Sequence, residues 1–215
     1  SFGGKITVVS MGPPDAVRAI REAVAMGCDK GVLLSDKRFG GADTWATSYT
    51  LAKAIEKIGS YDLLIFGERA TDGDTGQVGP ECAAWLDLPL LTYVARVDKI
   101  TESAVEVERL IENGYQKVRA PLPAVLTVVK EIAWPQLPTL GGKKRARLLE
   151  IPTWGKDEIG AEDTSIGLKG SPTRVVKIET PKVTRNGSLI DATDEDGVDR
   201  AVDALVDYLA EIEVI

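Results

Sequence analysis

No histidine occurs among the 215 residues. That absence removes Ser-His-Asp triads, Cys-His pairs, histidine zinc sites and imidazole acid–base catalysis together. Chemistry done by this chain alone would fall to carboxylates, lysines or hydroxyls, and the pattern better suits a bound group that supplies the chemistry. Cysteine is scarce too. Cys28 and Cys82, in "MGCDK" and "PECAAWL", make no disulfide framework and read as small buried residues in a reducing compartment, cytoplasmic or, in a eukaryote, the mitochondrial matrix. No apolar run approaches the roughly 18–20 residues of a membrane span, and no signal peptide is visible. Positive charge is in deficit, with 26 Lys and Arg against 33 Asp and Glu and a net charge of −7. That balance argues against nucleic acid or an anionic membrane as the main partner. What is present is ordinary for a globular protein: 44% hydrophobic and 27% charged residues, in a length suited to one α/β domain with an added arm.

The chain opens without Met on "SFGGKITVVSMGPP", as if within a domain. The β-branched apolar run "KITVVSM" reads as a buried strand, and "KGVLLSD", "YDLLIFGE" and "LPLLTYVARVDKI" read as three more. Between them "PPDAVRAIREAVAMG", "GGADTWATSYTLAKAIEKIG" and "DTGQVGPECAAWLD" read as helices, with Pro14 and Asp15 opening the first, Gly27 closing it, Asp43 capping the second and Gly59 ending it. The alternation predicts an α/β fold with a doubly wound parallel sheet and helices on both faces. From residue 100 the rhythm changes. Asn113-Gly114 marks a β-hairpin leading into "AVLTVV". "AWPQLPTLGGKKR" (133–145) reads as an exposed loop. Residues 151–195 read as an extended arm and "DGVDRAVDALVDYLAEI" as a closing amphipathic helix. The expected division is a nucleotide-binding domain over 1–150 and a partner-binding arm over 151–215.

In such sheets ligands sit beyond the carboxyl ends of the strands. Three small or polar tips are expected there: "SMGPP" with Met11 and Gly12, "LSDKRFGGADT", and "GERATDGDT" with Glu68 and Arg69. In "GGADTWATS", Gly40 and Gly41 permit close approach, while Asp43, Thr44, Thr47 and Ser48 crowd hydroxyl and N–H groups at a helix start. That suits a phosphate, although Asp43 could simply cap its helix. Gly73, Thr75, Gly76, Gln77, Val78 and Gly79 bracket the next helix start. Asp72 and Asp74 would repel a phosphate and are expected to cap turns or bind ribose hydroxyls. Neither a Walker A loop nor G-x-G-x-x-G is present. The spacing therefore points to a bound nucleotide without triphosphate chemistry. No residue reads as a catalytic acid, nucleophile or metal ligand. Trp45, Trp85, Trp134 and Trp154 could stack on a flavin or adenine or serve in the core, and Lys143–Arg145 could dock an acidic partner or remain solvated. Glu68 and Arg69 could serve a cofactor or pair with each other.

Taken in order and spacing, "SMGPPDAVRAIREAVAMGCDKGVLLSD", "GGADTWATSYTLAKAI", "GERATDGDTGQVGPECAAWLDLPLLTYV", "PLPAVLTVVKEI", "WPQLPTLGGKKRAR" and "IGLKGSPTRVV" resemble the β subunit of electron transfer flavoprotein over nearly the whole chain. The start falls within that family's second strand, so its first strand and helix, with part of the adenine pocket, are expected to be missing. The resemblance implies pairing with an α subunit that carries an electron-transferring FAD. The β site would hold FAD, as in the electron-bifurcating branch, or AMP as a structural nucleotide in a plain carrier. "SDKRFGGADTWATS" resembles the bifurcating branch, with Thr44 and Thr47 facing the diphosphate. Nucleotide contacts carry over onto Asp72, Thr75, Gly76, Gln77 and Val78. Leu137 falls where the family has its partner-anchoring leucine, although Trp134 and Gln136 replace the usual neighbours. The implied function is electron bifurcation from NADH to ferredoxin or flavodoxin and to an acyl-CoA dehydrogenase-type or quinone-linked partner. A non-bifurcating carrier that docks acyl-CoA dehydrogenases is the alternative, and a stand-alone adenine-nucleotide-binding protein a third.

Overall fold

A computed structural model of the chain describes residues 3–71, 73–179, 187 and 189–211. The β-branched opening forms β1 (Thr7–Met11), and a 3-10 turn at Pro14–Ala16 leads into α1 (Val17–Met26). Gly27 ends α1 at φ 137°, its N–H donating to the carbonyls of Ala23 and Val24. β2 (Lys30–Leu34) then returns parallel to β1 in register from Thr7↔Lys30 to Met11↔Leu34. α1 buries Ile20, Val24 and Ala25, the face that a 3.6-residue period predicts, against Leu33.

α2 (Thr44–Ile58) is followed by β3 (Leu63–Gly67), α3 (Val78–Trp85) and the long β4 (Leu90–Ile100). β5 (Ala104–Ile111) and β6 (Gly114–Pro121) make the expected hairpin, and β7 (Ala124–Val128) follows. Ile111 pairs with Gly114, so Glu112 and Asn113 form the turn, one residue earlier than the Asn-Gly reading places it. The strands fall into two hydrogen-bonded sheets. One is parallel, β1-β2 with a short edge strand β8 (Thr153–Trp154); the other is mixed, in the order β3-β7-β4-β5-β6. β7 lies parallel to both β3 and β4, while β4 pairs antiparallel with β5 farther along. The fold is thus α/β, with helices flanking sheets whose parallel part has the β-α-β alternation read from the sequence.

Two expectations are corrected. The stretch 133–145 is a loop only as far as Thr139. Thr139 accepts from the Gly142 N–H and caps α4 (Leu140–Leu148), and α4 lies on α1. A Cβ at Gly142 would stand 2.1 Å from the Ala25 carbonyl oxygen, so this glycine permits a close helix–helix approach rather than a turn. Residues 151–174 are also not the extended arm that the sequence suggests. Within 151–174, β8, α5 (Lys156–Ile159) and α6 (Gly167–Gly170) are ordered elements, and Ile159, Ala161 and Ile166 are buried with Val32, Leu34, Phe39 and Tyr49.

The chain divides into two compact units, Ser1–Arg174 and Val175–Ile215. Among the described residues every strand lies in the first. The second contains α7 (Glu195–Glu211), where Val198, Val202, Leu205 and Tyr208 remain about half exposed. Among the described residues no helix is long and apolar enough to cross a membrane.

Candidate functional site

The first turns of α2 and α3 meet, and this juxtaposition builds the site. Thr44 opens α2, and its Oγ1 lies 3.2 Å from Gln77 Oε1 and 3.1 Å from Glu81 Oε1. A hydroxyl has one proton, so it donates to one acceptor at a time, and the Glu81 carboxylate can only accept. Gln77 completes the group once its side-chain amide is turned so that the NH₂ donates to Thr44. The second Glu81 oxygen, Oε2, is buried with no partner among the described residues. Its unused acceptor capacity suits a hydroxyl or amine donor of a bound molecule.

α3 offers the complementary chemistry. Gln77 stands at its N-cap but makes no side-chain cap bond, and Pro80 has no N–H. Val78 and Gly79 are then the first-turn donors, at the positive end of the helix. Gly79 is held tightly, since a Cβ there would lie 2.7 Å from Thr127 Cγ2 and 3.3 Å from Phe66 Cβ. That packing seats the N-terminus of α3 on β3 and β7. The preceding loop folds on itself. Gly76 has φ 63° with its Cβ position 3.3 Å from the Glu68 carbonyl, and Asp74 N–H donates to Ala70 O at 3.0 Å. Arg69 pairs with Asp74 at 3.5 Å rather than with Glu68; both side chains are exposed, and such pairs contribute ~0–1 kcal/mol. Thr75 is exposed and Val78 half-buried. Asp72 lies outside the described residues.

Other sequence-predicted residues have work within the fold. Asp43 caps α2 through Oδ1, which accepts from the Ala46 N–H at 3.1 Å, and its Oδ2 accepts from both the N–H and the hydroxyl of Thr173. Burial alone would raise its carboxyl, but these bonds outweigh burial and hold it below the usual value. Gly41 does not leave its loop open, because the Leu168 side chain fills the space a Cβ would take, 2.6 Å away. Ser48, read as a phosphate hydroxyl, is buried; it donates to Trp45 O at 2.9 Å and accepts from the Trp85 indole at 3.2 Å. Trp85 also contacts Trp45 and Tyr49, with ring centroids 4.5 and 5.3 Å apart. Thr47 is half-buried one turn into α2, its N–H bonded to Asp43 O. Met11 packs on the core beside Leu34, and Gly12 N–H donates to Leu34 O at 3.0 Å. Neither contact reaches the Thr44–Gln77 group. Beyond β2, Asp36 takes up the strand tip: Arg38 Nη2 and the Lys156 N–H both donate to it.

Leu137 projects into solvent at 89% exposure, beside Trp134 at 95%. Lys143, Lys144 and Arg145 ride on α4, where Arg145 donates to Val24 O at 2.8 Å. Glu81 was not singled out by its sequence, although a position four residues after Gln77 puts it on the same helix face. Ser171 and Thr173 carried no local signal.

The electron transfer flavoprotein domain matches residues 1–156. An electron transfer flavoprotein subunit beta of Thermoanaerobacterium thermosaccharolyticum is 43% identical over 209 residues, 94% of this chain and 78% of that protein. The chain belongs to the electron transfer flavoprotein β-subunit family. Two further family members widen the comparison. The caffeyl-CoA reductase-Etf complex subunit CarD of Acetobacterium woodii is 41% identical, covering 99% of this chain and 80% of its own. The acryloyl-CoA reductase electron transfer subunit gamma of Anaerotignum propionicum is 40% identical, covering 95% and 79%. Membership supports electron transport as the setting of the Thr44–Gln77–Glu81 group.

Proposed function

We propose that this chain is the nucleotide-holding β subunit of a heterodimeric, electron-bifurcating flavoprotein, with FAD held between the first turns of α2 and α3. The observation that carries the reading is the contact of Thr44 with Gln77 and Glu81, which joins the two loops that the sequence marks as a phosphate cradle. The donor set fits a dinucleotide. N–H groups at Val78 and Gly79 suit phosphate oxygens, Thr44 and Thr47 line the diphosphate side, and the spare Glu81 Oε2 suits a sugar or ribityl hydroxyl. Thr75 and Gly76 belong to the loop that would close around it.

When bound, FAD would supply hydride acceptance from NADH and one-electron delivery to an α-subunit flavin and to ferredoxin or flavodoxin. The chain's own residues hold and orient it, and none of them needs to act as acid or nucleophile. The relatives named for caffeyl-CoA and acryloyl-CoA reductases support an acyl-CoA dehydrogenase-type partner, reached through Leu137. An exposed leucine flanked by Pro135 and Pro138 is stiff before docking and costs little to order.

Thr75→Asp tests the cradle. Thr75 is exposed, so a carboxylate there leaves the fold intact while opposing a phosphate. The expected result is at least tenfold faster release of the β-site nucleotide from the heterodimer with an unchanged unfolding midpoint. Full retention would mean the phosphate lies elsewhere. AMP in this site, with no hydride taken from NADH, would make the chain the carrier type instead.

A further inference from the structure

Residues 36–43 lead into α2 and the proposed cradle, and residues 165–173 lie against them. Asp43 N–H donates to Ser171 Oγ at 2.8 Å, and Ser171 Oγ donates to Gly167 O at 2.7 Å. Thr173 donates to Asp43 Oδ2 twice, from its N–H at 2.9 Å and from its hydroxyl at 2.8 Å. The backbones are equally close: a Cβ at Gly167 would meet Arg38 O at 2.1 Å, and Leu168 occupies the space over Gly41. With Ala46 N–H on Oδ1, both oxygens of Asp43 are engaged by protein donors. Asp43 is thus turned away from the role of ligand contact and toward that of a junction. The first compact unit ends at Arg174, one residue past Thr173. The last hydrogen-bonded anchor of that unit is therefore made to the cap of a cradle helix.

We propose that Asp43 is a positioning residue that clamps the base of the C-terminal segment to the first turn of α2, so that nucleotide occupancy and the anchoring of residues 171–174 are energetically linked. Loosening Thr173 removes two donors from Asp43 and frees the loop that sets Thr44 and Thr47. Conversely, a ligand that fixes the first turn of α2 holds Asp43 in place to receive Thr173. The linkage is reciprocal by thermodynamic necessity: whatever factor the clamp contributes to nucleotide affinity, the nucleotide contributes to the clamp. The clamp itself stands on the contacts above. The ligand half of the linkage rests on the nucleotide reading under Proposed function.

The test uses the heterodimer carrying Thr173→Val with Ser171→Ala, and Thr173→Ser as the conservative variant that keeps the hydroxyl donor. Hydrogen exchange at residues 171–179 and release rates of FAD and AMP are measured on each. The expected result is a rise in exchange of at least tenfold and a three- to tenfold faster nucleotide release in the double variant, with Thr173→Ser close to wild type. Added nucleotide should slow exchange at Thr173 in the wild type. A merely structural threonine would leave nucleotide release unchanged, and that result overturns the linkage. Unchanged exchange in the double variant overturns the clamp. If the wild type binds neither FAD nor AMP while exchange still rises, the clamp stands, and both the linkage and the nucleotide reading fall.

Discussion

Gly142→Ala separates helix propensity from packing, because the two predict opposite signs. Alanine in place of glycine inside a helix is worth about 1 kcal/mol in favour of folding. In α4 the new Cβ would stand 2.1 Å from the Ala25 carbonyl oxygen and 3.1 Å from its carbon. Both are backbone atoms of α1, so α4 must withdraw by on the order of 1 Å, and overpacking of this kind costs about 1–3 kcal/mol. Withdrawal also strains the bonds that join the two helices: Arg145 to Val24 O at 2.8 Å, Arg21 to Leu149 O at 3.3 Å, and Arg21 to Ala146 O. Losing two of these at about 1 kcal/mol each gives a net destabilisation of roughly 2–4 kcal/mol after the propensity gain. Urea unfolding followed by tryptophan fluorescence reads this as a lower midpoint with an unchanged slope. A midpoint that rises would refute the reasoning, since it would mean that α4 does not press on α1 and that the glycine merely weakens its helix.

Three further outcomes follow from the same contacts. Hydrogen bonds from Arg38 hold the Asp36 carboxyl well below the usual range, against a smaller opposing effect of burial, with the Arg38 and Lys156 N–H groups adding to the lowering. A lowered folded value means the stabilisation is complete above the unfolded value of about pH 4 and is lost as pH falls toward the folded one. Asp36→Asn should therefore lose stability less steeply than wild type between pH 4 and pH 2, and parallel acid limbs would count against the network. Burial, with the Glu81 charge adding to it, pushes the Cys82 thiol up to about 12, so at pH 8 alkylation should reach Cys28 in the folded protein and Cys82 only in denaturant; rapid labelling of both would show α3 open. Leu137→Ala should weaken dehydrogenase-linked electron transfer about tenfold or more without changing cofactor content, whereas altered content would place Leu137 in the fold.

Much of this was legible locally. Short apolar runs mark β1, β2 and β3, and "GADT" marks the cap of α2, because local hydrophobicity and capping are properties of neighbouring residues. The hairpin announced itself through Asn113-Gly114 but turned one residue early, a register that pairing with β5 decides. α4 is hidden in the sequence because Gly141-Gly142 is a turn signal there, while the actual need for Gly142 is the Ala25 carbonyl more than a hundred residues away. In "GADTWATS" Ser48 reads as a phosphate hydroxyl, and Asp43 as either a ligand group or the helix cap that the Ala46 N–H makes it. Ser48 is taken by Trp85 and Asp43 by Thr173, partners that only the folded chain brings near. Glu81 is hidden for the converse reason, since its value lies in an oxygen that has no partner among the described residues, which no spacing reveals. Family resemblance reached farther than periodicity at Leu137, whose exposure the structure shows and whose anchoring role is proposed.

The central claim is that the cradle of α2 and α3 holds FAD. It is tested most directly by releasing and counting the cofactors of the heterodimer formed with the α subunit. Two FAD and no AMP per heterodimer is the predicted result. One FAD with one AMP would contradict the bifurcating assignment while keeping the cradle, and a single FAD with no second nucleotide would contradict the cradle itself.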